Sequence, residues 1–154
     1  MKLAHSIKLS VFCNENEDEN KIVEGLKSLI LFNLEEEKIK INQENATGFG
    51  ESRIRIFEIV LEKERHTNNF LKNLLEKLGE EQRLLLLGQA ETRLDDELDF
   101  FIRFDKQKLI EENKIWITDE GNCYHLRISI AAFPAKKEVA LENVKNLLLM
   151  KFDH

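Results

Sequence analysis

Residues 3–11 alternate. Leu3, His5, Ile7, Leu9 and Val11 fall on one phase, and Ala4, Ser6, Lys8 and Ser10 on the other. A period of two predicts a strand with one face on a core. The spacing then becomes helical: Ile22, Val23, Leu26 and Ile30 form a stripe, with Asn14 or Asn16 as the start. Glu17, Asp18 and Glu19 would then sit in the first turn, where the helix dipole favours acids. Alternation returns over residues 37–43, with Ile39 and Ile41 inward and Lys38 and Lys40 outward. Residues 45–52, carrying Gly48 and Gly50, read as a turn or loop. Residues 53–63 form a long strand whose apolar phase shifts near Phe57, from Ile54 and Ile56 to Ile59 and Leu61. That shift predicts a bulge, or a strand buried on both faces at its centre.

In the second half, Phe70, Leu71, Leu74, Leu75 and Leu78 mark a helix capped by Thr67 and ended by Gly79. A further helix spans residues 80–92, with Leu84 to Leu87 buried. Leu98, Phe100, Ile102 and Phe104 are the inner phase of the next strand. Residues 106–112 are a short helical or looped segment, residues 114–118 a short strand, and Asp119-Glu120-Gly121-Asn122 a hairpin-like turn. Tyr124, Leu126, Ile128, Ile130 and Ala132 line the inner face of a last strand. Pro134 opens a final helix with Val139, Ala140, Val144, Leu147 and Leu148 inward. The order β-α-β-β-α-α-β-β-β-α defines an α+β fold, a two-layer sandwich with an antiparallel or mixed sheet and helices on one face.

The 154 residues, 42% hydrophobic and 34% charged with one proline, suit a single domain over 1–154 without a linker. The longest apolar run, Leu84 to Leu87, is far below a bilayer span, and no signal-peptide core follows Met1. A cytoplasmic protein that does not enter a membrane is expected. Cys13 and Cys123 are too few and too far apart for a zinc site, and a reducing cytosol disfavours their pairing. The net charge of −6 argues against a general polyanion binder, so the placement of the charges matters more than their sum.

Catalytic motifs are absent from the sequence. Thr47-Gly48-Phe49-Gly50-Glu51-Ser52 lacks the closing lysine and following helix of a phosphate loop. His5, His66, His125 and His154 have no metal-ligand spacing; His5, on the apolar phase, reads as a partly buried structural residue. No serine sits in a nucleophile elbow. Asp95-Asp96-Glu97 has the oxygen chemistry of a divalent-cation site but reads as a solvated turn. The expectation is therefore no enzyme, no cofactor and no metal.

The outward strand phases are more informative. They carry Ser6, Lys8 and Ser10; Lys38 and Lys40; Arg53 and Arg55; Phe101 and Arg103; and His125, Arg127 and Ser129. Cations among strand aromatics suit RNA, the cations meeting phosphates and a ring stacking a base. The same residues also commonly fill solvent faces and blunt sheet edges. Lys136 and Lys137 stand in the first turn of the last helix, where cations are disfavoured. Either a phosphate at that helix end reverses the penalty, or both point to solvent and Glu138 compensates.

Two segments carry a family resemblance: Phe101-Ile102-Arg103-Phe104-Asp105-Lys106-Gln107, and Arg127-Ile128-Ser129-Ile130-Ala131-Ala132-Phe133-Pro134-Ala135-Lys136-Lys137-Glu138. They resemble the C-terminal signature of an archaeal family of predicted RNA-binding, exosome-related proteins. At the Gly48-Phe49-Gly50 turn, Glu51-Ser52-Arg53 replaces the family's more usual Asn-Pro pair. The resemblance implies a fold like that of the ribosomal protein that holds the smallest ribosomal RNA, and RNA binding, with the exosome or other RNA-processing proteins as partners. The motif positions are Arg103, Asp105, Lys106, Gln107, Pro134, Lys136 and Lys137; Asp105 and Gln107 are equally suited to locking the loop. The leading expectation is a non-catalytic RNA-binding protein using Phe101, Arg103, Lys106, Gln107, Arg127, Lys136 and Lys137. The alternatives are a protein–protein adaptor or homodimer joined through a strand edge or sheet face, and, on the basic residues alone, an enzyme acting on phosphorylated small molecules.

Overall fold

Apolar side chains on one phase of each strand supply the core. β1 (Ala4–Asn14) buries Ile7, Leu9, Val11 and Cys13, and β3 (Arg53–Leu61) buries Phe57, Ile59 and Leu61. β4 (Asp99–Asp105) buries Phe100, Ile102 and Phe104, and β5 (Cys123–Ile130) buries Tyr124, Leu126, Ile128 and Ile130. β2 (Asn42–Thr47) is exposed throughout and pairs antiparallel with β3, from Asn42 opposite Glu58 to Thr47 opposite Arg53. The five strands form an open antiparallel sheet in the order β2-β3-β1-β5-β4. The helices are α1 (Glu19–Ser28), α2 (Glu64–Gly88), α3 (Ala90–Arg93), α4 (Lys106–Glu112) and α5 (Lys137–Leu148). The computed structural model describes residues 1–47 and 52–151; the Gly48-Phe49-Gly50 turn, Glu51 and His154 lie outside the described residues.

The α+β class and the antiparallel sheet agree with the sequence pattern. Several local expectations do not hold. Residues 37–41 are not a strand: Glu37 N–H donates to Asn33 O, Ile39 N–H donates to Leu34 O, and Lys38 has a φ of 58°. β2 begins beyond them, in a polar stretch with no apolar phase to mark it. Residues 114–118 make one bridge, Ile117 to Phe104, and α4 precedes them, so the order is β-α-β-β-α-α-β-α-β-α. The buried phase of β1 shifts between Ala4 and Ile7, both fully buried although three residues apart. His5, expected on the buried phase, is exposed. At Phe57 the register with β2 is continuous, so the phase shift is a change of face: Ile54 and Ile56 are half-buried opposite Phe57.

Helix starts also move. Asp18 caps α1, its carboxylate accepting the Asn20 and Lys21 N–H groups at 3.1 and 3.3 Å. α2 begins at Glu64, ahead of Thr67, and α5 begins at Lys137, three residues after Pro134. Gly79 does interrupt α2, with φ 79° and ψ 168°, a conformation that glycine tolerates and other residues resist. Beyond it Leu86 is buried but Leu84 and Leu85 are exposed, because four consecutive residues point to most sides of a helix and cannot all face one core.

The chain divides into two compact units, to both of which β1, β4 and β5 contribute. The first comprises Met1–Ile7, Glu62–Ile102 and the chain from Arg127 onward. In it α5 packs on α2 and α3, with Phe70, Leu71, Leu74, Phe100, Ile128 and Val144 buried. The second comprises Lys8–Leu61 and Arg103–Leu126. Its core includes Leu9, Val11, Ile22, Leu26, Ile59, Phe104 and Tyr124. The Tyr124 hydroxyl donates to Ile22 O at 2.7 Å, which joins β5 to α1, and Gly25 leaves the room for that hydroxyl. No helix among the described residues is long and apolar enough to cross a membrane.

A Cβ at residue 25 would collide with the Tyr124 Oη. Gly25→Ala should therefore lower the unfolding free energy by about 1–3 kcal/mol in urea melts, despite alanine's higher helix propensity. A neutral or stabilising result would show that the α1–β5 contact yields easily.

Candidate nucleic-acid interface

In the second unit, the chain turns sharply where β4 meets α4. Asp105 ends the strand and caps the helix, its carboxylate accepting the Lys108 N–H at 2.8 Å. The turn sends Lys106 inward. Its ammonium donates to Phe12 O at 2.7 Å and Asn122 Oδ1 at 2.6 Å, and lies 3.2 Å from both Glu17 carboxylate oxygens. The side chain is only 7% exposed. The assignment of Lys106 as a phosphate contact is thereby corrected: a buried ammonium needs full compensation, and these partners provide it. Asp105 is the structural lock that its motif position allowed. Gln107 is exposed, and its amide donates to Glu111 at 3.2 Å on the same helix.

Arg103 is exposed on the outward phase of β4, and its guanidinium donates to Asp119 O at 3.1 Å. Asp105 N–H donates to Trp116 O at 2.8 Å, and Thr118 N–H donates to Arg103 O at 2.9 Å. These bonds pin residues 116–118 alongside β4, with Ile117 buried and Trp116 on the outward side. The indole has Lys114 Nζ 4.6 Å and Lys108 Nζ 5.7 Å from its ring centroid, within cation–π range. On β5, His125 is half-buried, 3.7 Å from the Cys123 thiol and 5.9 Å, ring to ring, from the exposed Phe12. Burial, and next the Arg103 guanidinium, hold the His125 imidazole below its ordinary pKa. Burial pushes the Cys13 and Cys123 thiols up, and both cysteines are free.

In the first unit, Phe101 and Arg127 are exposed on the outward phases of the neighbouring strands β4 and β5. Arg127 has no ion pair among the described residues. Phe133 is 79% exposed, and its ring meets the His5 ring edge-on at 5.9 Å. Lys136 is the residue before α5, exposed and unpaired among the described residues, whereas Lys137 pairs with Asp96 at 3.3 Å. Lys137 is thus compensated by Asp96, a partner that neither sequence alternative included. The Asp95 carboxylate accepts the Glu97 and Asp99 N–H groups, both at 2.9 Å, which is the bonding of a turn.

The cations on the outward strand phases do not all reach an open sheet face. Lys8 pairs with Glu58 at 3.1 Å, and Lys38 and Lys40 lie outside the strands. Arg53 and Arg55 share the face of Phe57, where Arg55 pairs with Glu19 of α1 at 2.6 Å. Lys106 of one motif and Lys136 and Lys137 of the other fall in different units. Two exposed rings, Phe12 and Trp116, were not among the expected site residues. The signal for Trp116 was present: it is the outward residue between Ile115 and Ile117.

The fold and these surfaces define an antiparallel α+β protein that presents aromatic rings beside cations. A family model described as RNA binding matches residues 6–130, and the chain belongs to this archaeal family. An RNA-binding protein of Pyrococcus abyssi is 30% identical over 94% of each chain. Among solved structures, a protein of Archaeoglobus fulgidus superposes with a TM-score of 0.83 at 28% identity, over 94% of this chain and 99% of that one. A protein of Methanothermobacter thermautotrophicus gives 0.77 at 28% identity, over 95% and 98%. Both are described as members of a family called DUF54.

Lys106→Met keeps the aliphatic stem but leaves Glu17, 23% exposed, without its ammonium. Unfolding free energy should fall by about 2–4 kcal/mol, towards the lower end for a carboxylate that retains some water; a loss under about 1 kcal/mol would refute the structural role. His125 should titrate by NMR below the ordinary histidine value of about 6.5. Because the folded pKa is depressed, its contribution to stability is complete above about 6.5 and is lost as the pH falls through the folded value. A titration midpoint above 6.5 would contradict the burial argument.

Proposed function

We propose that the chain is a non-catalytic RNA-binding protein of the cytoplasm that serves RNA processing. The observation that carries this reading is the placing of exposed rings beside cations that have no ion pair among the described residues of the first unit. Phe101 lies beside Arg127 on adjacent strands, and Phe133 shortly precedes Lys136. An exposed phenylalanine offers a base a stacking face, and an unpaired arginine or lysine exchanges its counterions for a phosphate. Membership of a family described as RNA binding, and similarity to an RNA-binding protein, support the same reading. Association with the exosome and a ribosomal-protein-like fold rest on the motif resemblance alone. β2 favours a second reading: it is an edge strand exposed on both faces, the kind of edge that a protein partner or a second copy extends. Sedimentation with and without RNA separates the two, since a stable dimer unmoved by RNA supports the second.

Arg127→Ala with Lys136→Ala should weaken binding to structured and single-stranded RNA pools in fluorescence anisotropy. It should also reduce the slope of log affinity against log salt by about 1.4–1.8, for two phosphate contacts removed. Lys137→Ala should cost less, because Asp96 already holds that ammonium. Failure of the wild-type protein to bind any pool at low salt would overturn the reading.

A further inference from the structure

Across the outward side of the second unit, π-faced groups follow one another from strand to strand. Phe12 stands on β1, His125 on β5, Arg103 on β4, and Trp116 on the segment pinned alongside β4. Adjacent strands lie about 4.8 Å apart, so the four groups span about 14 Å. Phe12 and Trp116 are 42% and 36% exposed. Lys108 and Lys114 flank the Trp116 ring. Lys108 also pairs with Glu112 at 3.5 Å, and Asp105 is engaged as the α4 cap. Beneath the row, Lys106 ties the Phe12 carbonyl to Asn122 in the turn before β5.

We propose that this row is a stacking platform for unpaired RNA bases, with Trp116 as its principal ring and Lys114 and Arg103 meeting the flanking phosphates. The proposal rests on the RNA-binding reading and narrows it to a substrate class, single-stranded RNA. A duplex keeps its bases stacked on one another and offers no π-face to a ring, whereas a single strand offers one at every nucleotide. A base that stacks on the indole displaces the Lys114 ammonium, which lies over the ring 4.6 Å from its centroid, and that ammonium then meets the adjoining phosphate. The cation–π contacts already hold the ammonium groups near the indole, and the backbone bonds to β4 fix the ring's strand. The net charge of −6 opposes long-range steering, so affinity here comes from short-range stacking beside local cations.

Trp116 is the chain's one tryptophan, so its fluorescence reports on this platform in the unmodified protein. The probes are an oligouridylate and an oligoadenylate of about ten nucleotides, and an RNA duplex of the same length. Binding is followed in parallel by anisotropy of end-labelled RNA. Both single strands should quench the indole emission while the duplex leaves it unchanged. Trp116→Ala should weaken single-strand binding roughly tenfold and leave duplex binding within twofold, with Trp116→Phe in between. If single strands bind by anisotropy but the emission does not move and Trp116→Ala binds as wild type, the platform is refuted while the RNA-binding reading stands. If duplex quenches as strongly as single strands, the substrate class is wrong. If no RNA binds at low salt, the reading and the platform fall together.

Discussion

The Lys106 ammonium is held by the Phe12 carbonyl, both Glu17 carboxylate oxygens and the Asn122 side chain, in a setting that leaves it almost no water. A charge so placed survives only if its partners stay in position, so it constrains them in turn. It fixes the end of β1, the approach to α1 and the turn into β5 with one side chain. The Asp105 cap completes the arrangement by turning the chain so that Lys106 points inward. The backbones that present Phe12, Arg103, Trp116 and His125 are all tied to this junction or to β4 beside it.

The acids of this chain have local work. Glu17, Glu19, Glu58 and Asp96 each pair with a cation, and Asp18 and Asp105 cap helices. The exposed pairs among them contribute little stability, since water screens them. Their effect on the surface is larger: they withdraw Lys8, Arg55 and Lys137 from the set of cations open to a ligand. Glu112 likewise holds Lys108; Arg127 and Lys136 remain in the first unit, and Arg103 and Lys114 stand near rings in the second. An acidic chain can therefore present small basic and aromatic surfaces.

Much of the architecture was legible in the sequence, because side-chain period reports directly on which phase meets a core. The inner residues of β4 and β5, the buried stripe of α2 and its break at Gly79 follow from local pattern and local stereochemistry. β2 was misplaced for the complementary reason. Its residues are polar on both faces, so only hydrogen bonds to β3 define it, and those depend on a neighbour distant in sequence.

By itself, then, the sequence determined the α+β class, most of the strands, the helix break and the family motifs. Each of these depends on residues close together in the chain or on the residue types themselves. Only the tertiary structure decided that Lys106 is buried, that Arg55 turns to α1, that Lys137 meets Asp96, and that Trp116 stands beside β4. In each case the deciding partner lies across space, and a charged or aromatic residue reads the same in sequence whether it faces water, an acid or a base.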